Sequence, residues 1–348
     1  MNAVFVVFQL FVVMLVVLTL LFCFLIIRKY RINGFDEKKE YWKKQYLDRM
    51  MDALKGNRKL PQPESKAMTE ALEDVLTRYY SLMKGNTIMM SEIETIAESY
   101  FYSHYKNQLK SSSWSTRMNT LYRIEKFRMA VLIDDCLAIL EKKHVTEMEA
   151  IQILRILANI QDDRIYTILL KETDEYSAFY YLDIYSRLER PLFEKFVDSI
   201  DQFPLWIQQT LIEAMGERKE SDYLPYIETF LGSSEAEFRI RALKAISKMG
   251  YMSKVDLIIP SLTSDSWQER MMAAKAAKMQ RDDRLSHLLL SLLSDRYWWV
   301  RTAAAESLSY QSKGKALLRE VSETHEDRFA RDIALEWLLR KEYTRDPR

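Results

Sequence analysis

Ser294-Asp295-Arg296-Tyr297-Trp298-Trp299-Val300-Arg301-Thr302-Ala303-Ala304-Ala305-Glu306-Ser307-Leu308 decides the fold. Its core is an arginine followed by small or aliphatic residues at +3, +4 and +7, the spacing of one helix face. The same pattern stands at Arg270 (Ala273, Ala274, Ala277) and at Arg239 (Ala242, Leu243, Ile246). A further step forward reaches Arg331, with Ala334, Leu335 and Leu338. Steps backward reach Gln208, Ala178 and Ala150, each with apolar residues at the same three offsets. The seven anchors are separated by 28, 30, 31, 31, 31 and 30 residues. As an independent check, Gln161-Asp162-Asp163-Arg164-Ile165 recurs 120 residues on as Arg281-Asp282-Asp283-Arg284-Leu285, at the same offset from its anchor.

A period near 30 with two short helices per unit is the mark of an α-solenoid. The pattern predicts first helices over 118–141, 162–171, 191–200, 221–231, 252–262, 283–293 and 313–321. Second helices follow over 146–160, 175–189, 204–216, 235–249, 267–279, 297–310 and 327–340. Composition agrees: seven glycines and seven prolines in 348 residues are too few for a turn-rich β fold. Upstream, 64–117 reads as a helical preface. Its Tyr100-Phe101-Tyr102-Ser103-His104-Tyr105 cluster is expected in the core, and 342–348 as a tail.

The Asp-turn followed by Val300-Arg301 and an alanine-rich run resembles the HEAT-repeat family, in particular its short bacterial form. The resemblance covers 118–341 and is strongest over 264–308. It implies an all-α fold, an α-solenoid of about seven helix pairs. It also implies a ladder of Asp and Arg between units, made here of Asp295, Arg301, Arg239, Arg270 and Arg331. Only Asp295 and Arg301 show the family's six-residue spacing in full. Asp265 stands one residue short of it before Arg270, and Ser233 replaces the Asp before Arg239, so the ladder is expected to be incomplete.

Ala3 to Ile27 is an apolar run broken only by Gln9 and Thr19, apart from the weakly polar Cys23. That is long enough for a hydrocarbon core of about 30 Å. No charge precedes it and Arg28-Lys29-Tyr30-Arg31 follows, so a retained transmembrane helix over 3–27 is expected, not a cleaved signal. The positive flank puts the C-terminal side in the cytoplasm and the N-terminus outside, in the cell membrane. Residues 28–63 form a basic juxtamembrane linker region. Eleven basic and five acidic residues lie between Arg28 and Lys59, which suits contact with anionic lipid.

Several chemistries are excluded by spacing. The glycines, at 34, 56, 85, 216, 232, 250 and 314, are too scattered for a phosphate loop or a nucleophile elbow. With 51 basic and 50 acidic residues the chain lacks the excess of a nucleic-acid binder. The two cysteines make no disulfide framework or zinc site. One HEAT-like class, a di-iron hydroxylase, uses repeated His-Glu pairs, and this chain has one, His325-Glu326. Another excises damaged DNA bases with aromatics and an Asp. Trp298, Trp299 and Asp295 invite that comparison, but Trp206, Trp267 and Phe329 stand at nearly the same position in their units. The recurrence reads as packing between units. A third class attaches bilins, and no ligating residue transfers from it. Asp162-Asp163 and Asp282-Asp283 read as helix caps.

No enzyme activity, catalytic residue, metal or cofactor is therefore expected. The open face of the second helices, at +5 from each anchor, reads Arg155, Asp183, Glu213, Lys244, Lys275, Glu306, Glu336. Its middle, with Arg241 and Lys248 added, is a basic patch: Arg241, Lys244, Lys248 and Lys275. Glu213 and Glu217 flank it on one side and Glu306 on the other; unless these acids or a bound anion offset it, the like charges are expected to repel, so that reversing Lys244 and Lys275 would leave stability unchanged or improved. The patch is the candidate site for a protein partner, itself a membrane or membrane-associated protein. The expected function is a membrane-anchored cytosolic scaffold or adaptor. The alternative is an enzyme, or an accessory subunit of a membrane enzyme, with a site in the concave groove.

Overall fold

The structure is a computed structural model and describes residues 2–142, 144–171, 176–280 and 282–343. Among these residues it is all-helical, with eighteen α-helices and no strand. The chain divides into two compact units, residues 1–156 and 157–348.

The first unit holds α1 (Asn2–Leu54), α2 (Lys66–Leu82), α3 (Thr87–Gln108), α4 (Trp114–Lys126) and α5 (Ile133–Leu140), while α6 (Glu147–Ile160) runs across the division. Helix α1 has 53 residues, which makes it about 80 Å long. Residues 8–33 are all exposed. One helix is thus long and apolar enough to cross a membrane, and the apolar side chains of its residues 8–27 find no cover in the protein.

Residues 28–63 are not a uniform linker. With no proline before Pro61, the helix persists to Leu54. Tyr46, Met50 and Leu54, four residues apart on one face, are buried, and this stretch packs along α2. Lys39 pairs with Glu70 at 3.3 Å and Asp74 at 3.1 Å. The Tyr46 hydroxyl donates to the Pro61 carbonyl at 3.1 Å and that of Tyr100 to the Leu60 carbonyl at 2.7 Å, which ties the irregular segment down. The aromatic cluster of the preface is core in part: Phe101 stacks on Tyr105 at 5.2 Å and both are fully buried, whereas Tyr102, Ser103 and His104 face outward.

The second unit runs through α7 (Arg164–Leu170), α8 (Ala178–Arg187), α9 (Arg190–Asp198), α10 (Leu205–Arg218), α11 (Leu224–Thr229) and α12 (Ala236–Met249). It continues with α13 (Ile259–Leu262), α14 (Trp267–Ala276), α15 (Asp283–Ser291), α16 (Trp298–Tyr310), α17 (Gly314–Thr324) and α18 (Arg328–Tyr343). Helices α8, α10, α12, α14, α16 and α18 begin the successive +3, +4, +7 patterns, and each packs against the next. Ala242, Leu243 and Ile246 are buried, as are Ala273, Ala274 and Ala277, and Ala304, Ala305 and Leu308. At α18 the pattern loosens: Ala334 is buried and Leu335 is half exposed. Helices α10 and α12 touch so closely that a Cβ on Gly216 would lie 2.3 Å from the Ala245 Cα. Of the expected tail, 342–343 still belong to α18 and 344–348 lie outside the described residues, as do residue 175 and Arg281.

Candidate functional site

The basic patch lies on α12 and α14, with acids set between its cations. Arg241 donates to Glu213 at 2.8 Å and Glu237 at 2.7 Å, Lys244 also pairs with Glu213, and Lys248 pairs with Glu217 at 2.9 Å. Glu213 is only 2% exposed, so Arg241 and Lys244 compensate a buried carboxylate. Lys275 makes no ion pair among the described residues and is half-buried. The repulsion expected from sequence is replaced by pairing across helices, because Glu213 of α10 faces the α12 cations.

The ladder is incomplete, as expected: Arg239 and Arg270 reach a carboxylate of the next unit, whereas Arg301 and Arg331 bond to carbonyls of their own turns. Arg239 donates to the carbonyls of Ser233 and Ser234 in its own turn, at 2.8 and 3.0 Å, and reaches both carboxylate oxygens of Glu269 at 2.8 Å. Arg270 repeats this on Ser264 and Asp265, at 2.7 and 3.0 Å, and reaches Asp295 at 2.6 and 3.1 Å. Arg301 donates to the Asp295 carbonyl at 2.7 Å, and Arg331 to that of Glu326 at 2.9 Å. The acceptor in the Arg270 turn is Glu269, not Asp265, whose carboxylate makes no ion pair among the described residues. Ser266 caps α14 by accepting from the Glu269 N–H, so Glu269 is both a first-turn residue and a rung. The first unit carries an unforeseen rung of the same design. Arg117 donates to the carbonyls of Ser111 and Ser112, at 2.9 and 3.1 Å, and to Glu149 at 2.6 Å. Thr146 and Glu149 form the matching capping box. Asp162 and Asp282 accept from the backbone N–H of Arg164 and Arg284, at 3.0 and 2.9 Å, and act as turn caps.

The aromatics of the second-helix starts divide. Trp267 stacks on Tyr297 at 5.4 Å, the packing expected between units. Trp299 and Phe329 instead stand 58% and 63% exposed. Arg301 lies over the Phe329 ring at 5.1 Å.

A cavity of about 560 Å³ opens in the first unit between the start of α2, the end of α3 and α4. Buried Glu73 accepts from the Tyr105 hydroxyl at 2.8 Å and from Arg123 at 3.0 Å. His104 and Gln108 meet at 2.9 Å, and the Thr120 hydroxyl donates to the Gln108 oxygen at 2.8 Å. Burial pushes Glu73 above the usual carboxylate range, against the opposing pull of Arg123 and Tyr105. Burial, together with Arg123, lowers His104. Sequence reasoning passed over this group, because Glu73 and His104 lie in the preface, Arg123 lies in the first helix of the repeat region, and the three stand on separate helices. The remaining signal was polar residues on otherwise core-forming helices. Among the described residues no three His, Cys, Asp or Glu side chains gather in a metal-binding group.

No family model matches the chain, and no curated protein matches it. Among solved structures, the chain is similar to human deoxyhypusine hydroxylase in complex with glycerol. The two share 14% identity over 86% of this chain and 97% of that one, at a TM-score of 0.29. The expectation that this chain is not an enzyme is corrected here. The structure it matches is that of an enzyme. At that TM-score the likeness assigns no activity in its place.

Proposed function

We propose that this chain is a membrane-anchored accessory subunit that holds a membrane enzyme through a HEAT-like α-solenoid. The observation that carries the reading is α1, one helix from the apolar segment into the packed face at Tyr46, Met50 and Leu54. Such a helix has no joint at which an anchor could swing free. The solenoid reading is supported by the row of helices in the second unit and by arginine rungs of one design at Arg239 and Arg270. The patch on α12 and α14, with Lys275 at its edge, is the partner surface, and the scaffold role follows from it. The basic flank after Ile27 supports an outside N-terminus and a cytoplasmic remainder.

Lipid contact is confined to the first turns in this reading. A helix rises about 1.5 Å per residue, and Lys38 is ten residues beyond Arg28. It is then about 15 Å further from the bilayer, past the Debye length of about 8 Å. Arg28, Lys29 and Arg31 remain for headgroups.

The test is a photo-crosslinking residue at Lys275, Trp299 or Lys315 in native membranes. A discrete adduct from Lys275 and Trp299, absent from Lys315 on α17, is expected. The adducted protein should be a membrane enzyme whose activity falls when this chain is deleted. Equal adducts from all three positions, or none, overturn the proposal. A second reading, in which this chain does chemistry itself, is favoured by the convergence of Glu73, His104 and Arg123 on one cavity.

A further inference from the structure

We infer that the cavity of the first unit binds a small zwitterion of the α-amino-acid class, its carboxylate held at Arg123 and its ammonium at Glu73. The inference holds whichever reading of the function is right.

The Glu73–Arg123 pair is presented to open polar space. Most ion pairs near a protein surface either face water or are closed off by packing. This one borders a polar cavity of about 560 Å³. Glu73 is 7% exposed and gives one oxygen to Tyr105 and the other to Arg123. Each carboxylate oxygen has a second lone pair. Arg123 uses one Nη on Glu73 at 3.0 Å, and a guanidinium carries five N–H donors in a fixed fork. Both halves of the pair therefore keep bonding capacity, and the cavity lies beside them.

Charge then selects the ligand. Glu64, Glu70 and Glu73 line the cavity with Lys66 and Arg123, while His104 is held toward its neutral form by burial and by Arg123. A simple anion would face Glu64 and Glu73, since Glu70 is paired with Lys39 at 3.3 Å and Lys66 at 3.8 Å. A simple cation would face Arg123 and Lys66. A ligand with both charges lies antiparallel to the Glu73–Arg123 dipole and leaves net charge unchanged. Arg recognises carboxylates through paired N–H bonds, and a buried carboxylate gains from an added ammonium partner. Asn119 and Thr116 at the same cavity offer neutral donors and acceptors for the rest of a polar ligand.

The experiment is calorimetric titration of the full chain in detergent with a panel of free amino acids. Each binder is compared with its N-acetyl form, which lacks the ammonium, and with its amide, which lacks the carboxylate. The zwitterion should bind roughly tenfold or more tightly than either analogue. Arg123→Gln and Glu73→Gln should each weaken binding by a similar factor while the helical circular-dichroism signal and melting cooperativity persist. Asn119→Leu, which replaces a polar lining side chain with a bulkier apolar one and leaves the pair intact, should also weaken it and covers the case in which a pair variant fails to fold. Equal binding of the N-acetyl form, equal binding of the amide, or no binding by any amino acid at millimolar concentration overturns the inference.

Discussion

A single side chain separates the family pattern from the observed ladder. The six-residue rule points to aspartate in each turn, yet in the Arg270 turn Asp265 stands exposed and Glu269 makes the rung. Glu269→Ala leaves the Arg239 guanidinium unmatched and opens a buried polar site, so about 3 kcal/mol of stability should be lost in urea titration. Asp265→Ala should stay within about 0.5 kcal/mol. Equal losses would return the role to Asp265. Burial pushes Glu149 and Glu269 up, but Arg117 with Thr146, and Arg239 with Ser264 and Ser261, outweigh it and hold both below 4.5. Carboxyls depressed in the fold stabilise it above the unfolded value and lose that contribution as pH falls through the folded one. The urea midpoint should thus fall as pH drops below about 4.5, less so in Glu269→Ala. Lys244 shows how charge read without its acceptor misleads. Lys244→Glu would set a carboxylate against buried Glu213, so about 2 kcal/mol of destabilisation is expected, where like-charge reasoning predicts none. Lys275→Glu should melt as the parent does. A stable Lys244→Glu protein would mean that Glu213 finds another partner.

Among the elements, the second helices were legible because their apolar triplets repeat every 28 to 31 residues. The Arg117 rung was not, although Thr120, Leu121 and Ile124 follow it at the right offsets. Its step to Ala150 is 33 residues, which breaks the period. The stalk of α1 was legible as helix but not as packed, because its buried positions, Tyr46, Met50 and Leu54, are separated by charged residues. A chain cut to start at Glu64 loses those three residues and Leu60 from the core. It should lose helical signal and aggregate, whereas a chain starting near Asn33 should be soluble and melt cooperatively. If the shorter chain melts as well as the longer one, the stalk contributes nothing to the first unit.

At the scale of the whole molecule, composition foretold an all-helical chain and one helix fit for a bilayer, but not the cavity, which depends on how α2, α3 and α4 come together. The proposed topology has a direct check. A cysteine introduced near residue 313 in a Cys136→Ala background should resist membrane-impermeant thiol reagents in intact cells, and labelling there would reverse the orientation. Beyond topology, the unbroken α1 makes the anchor a rotor. One residue inserted between Ile32 and Asp36 turns the rest of α1, and the helices packed on it, by about 100° and advances them by about 1.5 Å. If the partner is fixed in the same bilayer, its capture should fall with one or two inserted residues and return near four, following the pitch of the helix rather than the length of the insertion. A loss that merely grows with length would make the stalk a tether. On the proposed topology the helix sets a phase between its membrane segment and the first unit packed on its stalk.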